Sequence, residues 1–251
     1  AISNEKSKSS FPSDAFLEFI SAVFKKLSEE ANNLTQADET ASSIPIFKEL
    51  LNLSAKFKTT EILQQRIEVL NNIACAYRKV GKIHSAKKSI ARALELAKQD
   101  TQGKLKLAST YLNMCAVLSS LKKHKEAQEF AKRAVQAAQE DLLEAKLENS
   151  QETSQKVAVL GIAYHNLAIE LEFLNKKSEA LQWHSKAYKF MNKHATEEQS
   201  QLLKDFETSY QKLLKETSRP QRPFSASSPK KLPSKSTTKS LKAVSSPNLR
   251  P

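Results

Sequence analysis

Glycine is scarce in this 251-residue chain, with only Gly81, Gly103 and Gly161 present, and no glycine-rich phosphate loop can be assembled from them. Cysteine is as rare: Cys75 and Cys115 stand alone, outside any CxxC arrangement, so neither structural zinc nor a disulfide framework is expected, and a reducing compartment fits best. No apolar run approaches the roughly 20 residues that a membrane-spanning helix needs, and the opening AISNEKSKSS lacks the apolar centre of a signal peptide. The expectation is a cytoplasmic protein, with the cytoskeleton or cilium as the alternative.

Chemistry is missing too. The five histidines, His84, His124, His165, His184 and His194, do not pair at metal-ligand spacing with one another or with a cysteine. There is no nucleophile elbow and no kinase-type motif. An enzyme is not expected, nor a metal or a cofactor.

What is abundant is the set of residues that lose least on entering a helix: Ala, Leu, Lys, Glu and Gln dominate the first 217 positions. The net charge of +13 is unevenly spread. Residues 218–251 hold eight Lys or Arg and no acid, leaving only +5 for the rest. That segment also has six of the eight prolines and nine serines, a composition that cannot bury enough apolar surface to offset the entropy of folding. It is expected to be a disordered basic tail, as residues 1–13 are expected to be a flexible start.

Between these ends the apolar residues follow helical spacing. Phe16, Ile20, Val23, Phe24, Leu27, Ala31 and Leu34 share one face, and Pro45 suits the first turn of a second helix carrying Ile46, Phe47, Leu50, Leu53, Ala55 and Phe57. Residues 14–58 therefore form one helix pair. Three longer segments then share fixed offsets of 3, 1, 3, 9, 4 and 3 residues. They are Leu70, Ile73, Ala74, Tyr77, Ala86, Ile90, Ala93; Tyr111, Met114, Cys115, Leu118, Ala127, Ala131, Ala134; and Tyr164, Leu167, Ala168, Leu171, Ala180, His184, Ala187. A large-small-large stripe faces the alanines of an antiparallel partner. After them, Thr196 and Gln199 form a capping box ahead of Leu202, Leu203, Phe206, Tyr210, Leu213 and Leu214, so residues 196–217 are expected to cap the stack.

These landmarks resemble the tetratricopeptide repeat (TPR) family, most closely in LNNIACAYRKVGKIHSAKKSIARALELAK (residues 70–98). The later units lack the turn glycine. The alanine landmark recurs after 41 and then 53 residues, stretched in the manner of kinesin light chains. The resemblance implies an all-α, right-handed superhelix of antiparallel helix pairs. Three repeats would lie in residues 60–195, at about 67–100, 108–141 and 161–194, with the 14–58 pair as a divergent fourth.

A superhelix of this kind lines its concave side with the first helix of each pair. Asn72, Asn113 and Asn166 fall there in register, each directly before the second apolar landmark, and an amide column can hydrogen-bond the backbone of an extended peptide. The alternative is that these amides bond between repeats. In the family, asparagine at this place lines the peptide groove. Further groove candidates are Asn71, Arg78, Lys79, Leu112, His165 and Ile169, with Glu68, Ser109, Ser119 and Glu172 beside them. Trp183, with His184, Tyr188 and Phe190, marks either an anchor on the convex face or packing against the cap.

The function expected is a scaffold or adaptor that binds a protein or peptide partner in the concave groove. The alternative is attachment to microtubules or another acidic surface through the basic tail, where Ser228 and Ser246, each before a proline, are candidate phosphorylation sites that would lower its charge. Nucleic acid is an unlikely partner, because no basic stripe interleaved with aromatics crosses the folded part.

Overall fold

A computed structural model describes residues 14–218 apart from 38, 58, 101, 102, 104 and 148–151. The tail with Ser228 and Ser246, and residues 1–13, lie outside the described residues. The described part is all-α: α1 (Asp14–Gln36), α2 (Thr40–Leu53), α3 (Thr60–Lys79), α4 (Ile83–Ala97), α5 (Ala108–Ser120), α6 (His124–Leu147), α7 (Thr153–Phe173), α8 (Lys177–His194) and α9 (Ser200–Ser218). Single 3-10 turns follow α2 and precede α9.

Each helix packs antiparallel on the next, and α1, α3, α5 and α7 also pack on one another in sequence. The second helices α2, α4, α6 and α8 splay apart. That asymmetry is the curvature of a solenoid, with the first helices on the inner wall of a right-handed superhelix. The alanine landmarks explain the close approach: Ala86, Ala93, Ala127, Ala131, Ala134, Ala180 and Ala187 are fully buried. One apolar cluster joins Phe24, Phe47, Ile67 and Leu70 across α1–α4, and a larger one runs from Ala74 and Ile90 to Phe206 and Leu213 of α9.

The turn between the helices of a pair is the same in all three repeats. Lys82 N donates to Tyr77 O at 2.7 Å, Lys123 N to Leu118 O at 2.9 Å, and Lys176 N to Leu171 O at 2.9 Å, each enclosing an inner bond from the preceding residue to the carbonyl three positions before it. This is the Schellman pattern, which needs a left-handed residue just past the helix end. Gly81 supplies it at φ +76°; Lys122 (φ 59°) and Asn175 (φ 60°) adopt it despite their side chains. The glycine is gone from the later repeats, but its conformation is retained.

Two sequence expectations need correction. Pro45 does not sit in the first turn of its helix, because α2 begins at Thr40. The lost amide is tolerated where Ala41 and Pro45 both face solvent, so water can reach the carbonyl left without a donor. The third hairpin also starts earlier than residue 161: α6 runs to Leu147 and α7 begins at Thr153. The longer 53-residue step is thus absorbed by extending both helices, not by a long loop.

One repeat position shows how neighbouring units trade volume. Ile67, Ala108 and Gly161 are equivalent, as are Ala97, Ala138 and Met191 on the second helices. Where the first helix has shrunk to glycine, the second carries a fully buried methionine. A Cβ on Gly161 would collide with Met191 Sδ and press on Phe206.

Candidate peptide groove

The inner wall is built from the faces of α3, α5 and α7 that are not spent on the core. On α3, Glu61, Gln64, Gln65, Glu68, Asn72 and Cys75 form one stripe and stay at least partly exposed, while Leu70, Ile73 and Ala74 point inward. The equivalent stripe on α5 is tighter, since Leu112 (8%) and Asn113 (7%) retain little exposure. On α7 it includes Asn166, Ile169 and Glu172, all partly exposed.

The three amides are not equivalent in use. Asn72 and Asn166 make no side-chain hydrogen bond to another described residue. Asn113 lies in the seam between α3 and α5, where its Oδ1 accepts from Cys75 Sγ at 3.5 Å and its Nδ2 is buried with no partner. Asn71, next to Asn72, is turned into the same seam: its Nδ2 donates to Thr110 Oγ1 at 2.9 Å, and its Oδ1 is unpartnered.

The cationic candidates also divide. Lys79 Nζ donates to Thr35 O at 2.8 Å, where the C-terminal carbonyls of α1 carry partial negative charge. Arg78 is partly buried beside Cys75 and Cys115, and no described carboxylate pairs with it. Burial pulls its guanidinium below the usual arginine range and pushes the two thiols up, with Glu170 raising Cys115 further. Burial likewise raises the Glu68 carboxyl, against a hydrogen bond from Gln64 that lowers it.

His165 is half-buried and turned toward the cap. Its ring stacks on Phe206 of α9 at 4.4 Å and meets His184 edge-on at 5.1 Å, and its Nδ1 is buried without a partner. Burial, with His184 adding to it, holds its pKa at about 3. Ser119 is buried with its hydroxyl unpartnered, whereas Ser109 remains partly exposed.

Sequence reasoning missed two acid–histidine pairs. Glu170, 2% exposed, receives His124 Nδ1 at 2.8 Å, and Glu172 Oε1 lies 2.6 Å from Nε2 of the buried His184. The first pair spans 46 residues and has no local signature. The second had one: His184 occupies the landmark filled by Ile90 and Ala131, and a buried imidazole there needs a polar neighbour. The aromatic group around Trp183 also separates: Trp183 and Phe190 pack on Tyr164 of α7, and Tyr188 stacks on Tyr210 of the cap at 6.0 Å.

Comparison with known proteins supports this architecture. Residues 65–140 match the family model for the tetratricopeptide repeat. No curated protein sequence matches the chain. Among solved structures, BtubC (BKLC) from P. vanneervenii superposes with a TM-score of 0.58 at 14% identity, covering 86% of this chain and 89% of that one. A Podosopora anserina protein of nearly identical TPR-like repeats, assigned as a kinesin light chain, gives 0.52 at 12% identity, covering 80% and 99%. Among the described residues no helix is long and apolar enough to cross a membrane. Residues 65–140 match the tetratricopeptide repeat model, and the chain has the fold of a TPR-like solenoid.

Proposed function

We propose that this protein is a non-catalytic interaction scaffold that holds an extended segment of a partner protein along its inner wall. The observation that carries the reading is the pair of uncommitted amides, Asn72 and Asn166, at one position of α3 and α7. Each offers both a donor and an acceptor, the pattern a peptide backbone requires. Arg78, partly exposed beside Cys75 and without a carboxylate partner among the described residues, favours an acidic group on the ligand. At roughly 10 Å per helix step, the two amides stand about 20 Å apart, the reach of about six extended residues. A non-catalytic role fits the acid–histidine pairs, which are tied to one another within the packing.

The test compares wild type with an Asn72→Ala, Asn166→Ala double variant. Proteins that co-purify with the wild-type chain should be lost from the variant at unchanged thermal midpoint. Undiminished capture would remove the groove from consideration. A second reading, attachment to microtubules through the acid-free segment 218–251, rests on its eight unopposed cations. It requires sedimentation with microtubules at low salt to disappear when that segment is deleted.

A further inference from the structure

The outer face carries a feature that the groove does not use. Arg92, Arg133 and Lys186 occupy one repeat position on α4, α6 and α8, and all three are exposed. In the second and third repeats this cation covers an aromatic ring that packs on the tyrosine of the first helix. Arg133 lies 5.3 Å from the Phe130 ring, which packs on Tyr111. Lys186 Nζ lies 4.5 Å from the Tyr164 ring and 4.7 Å from Trp183. Beyond Lys186, the third repeat adds Lys189 and Lys193, which share a shallow basin on α8 with Tyr164, Phe190 and His194. None of these cations forms a salt bridge or a hydrogen bond to a carboxylate among the described residues.

We infer that the outer face of α8 is a second docking surface, which receives an acidic segment of a partner protein through Lys186, Lys189 and Lys193. From Lys186 to Lys193 the row extends about 10 Å along α8, enough to meet carboxylates on a short extended segment. Unpaired like charges held together favour a ligand of opposite sign. The field has a local signature: besides burial, Lys146 and Lys193 disfavour protonation of His194.

Geometry selects among anionic ligands. Single-stranded nucleic acid needs bare ring faces on which bases can stack. Here Tyr164 is 3% exposed and the Tyr164 and Trp183 rings are already covered by the Lys186 ammonium. An anionic membrane surface is bound through apolar anchors beside the charges; on α8 no large hydrophobic residue from Gln182 to His194 is exposed, and the exposed Leu143 and Leu147 lie at the end of α6. The chain's own tail, with eight cations and no acids, is repelled.

Trp183 is the only tryptophan and lies beneath Lys186, so its emission reports the surface directly. The full chain is titrated with a blocked octaglutamate peptide at low salt. A saturable change in Trp183 emission is expected, weakened roughly tenfold or more by Lys189→Glu with Lys193→Glu and little changed by Lys25→Glu with Lys26→Glu, which alters net charge equally on α1. Both lysine pairs are exposed, and circular dichroism checks that the variants remain folded. The Asn72→Ala, Asn166→Ala variant should bind octaglutamate like wild type, which separates this surface from the inner groove. The inference is overturned if no saturable change occurs or if both charge-reversal variants weaken binding equally. It is also overturned if oligothymidylate or phosphatidylserine vesicles bind as tightly as octaglutamate with the same dependence on Lys189 and Lys193.

Discussion

The Asn71 amide donates to the Thr110 hydroxyl at 2.9 Å, tying α3 to α5, while the adjacent Asn72 amide faces the inner wall uncommitted. Consecutive helical residues point about 100° apart, so one is structural and the other available. Thr110 is fully buried, so removing the Asn71 side chain leaves its hydroxyl without this partner. Asn71→Ala should cost about 1–2 kcal/mol in urea unfolding, and Asn72→Ala should stay within about 0.5 kcal/mol of wild type. Equal losses at the two positions would place both amides in the packing.

Lys122 pays the steric cost of a left-handed conformation that Gly81 adopts freely. Lys122→Gly should therefore raise stability by about 0.5–1 kcal/mol, after allowing for the added freedom of glycine in the unfolded chain. Asn175→Gly should gain less, because asparagine tolerates this region better. Unfolding midpoints at constant slope decide; a loss on Lys122→Gly would show that its side chain contributes more than its backbone costs.

Gly161 lies where Met191 and Phe206 have filled the space. Gly161→Ala gains up to about 1 kcal/mol of helix propensity, but its Cβ enters a packed region, and overpacking costs about 1–3 kcal/mol. A net loss of stability is expected. In a Met191→Ala background the clash disappears and the same substitution should become neutral or favourable, so a double-mutant cycle should give a clear coupling energy.

His165 makes stability depend on pH with a definite sign. Its folded pKa of about 3 lies below the ordinary 6.5, so between these values the unfolded chain binds more protons. Its favourable contribution is present above about pH 6.5 and is lost as pH falls toward 3, by at most about 1.4 kcal/mol per pH unit. Comparing urea midpoints at about pH 7 and about pH 5, His165→Gln should flatten the decline. An unchanged decline would assign it to other groups.

Much of the fold was legible because burial in a helix stack is periodic. The second-helix landmarks, spaced by 4 and 3 residues and mostly alanine, are all buried, and the stripe from Tyr164 to Leu171 is the inner-helix core. The site was less legible. Leu112, Asn113 and His165 share the expected face of their helices, yet two are nearly enclosed and the third is stacked on the cap. Helical phase gives the direction of a side chain but not what stands opposite it.

From its sequence alone this protein is a set of helix pairs with alanine seams, because side-chain volume and 3.6-residue spacing act within one hairpin. Only the tertiary structure decided which amide bonds across a seam, that Glu170 meets His124, and that Lys186 covers Trp183. Those relationships join residues on different helices. They depend on the rotation and separation of neighbouring pairs, and small residual differences in packing set these, not any local pattern.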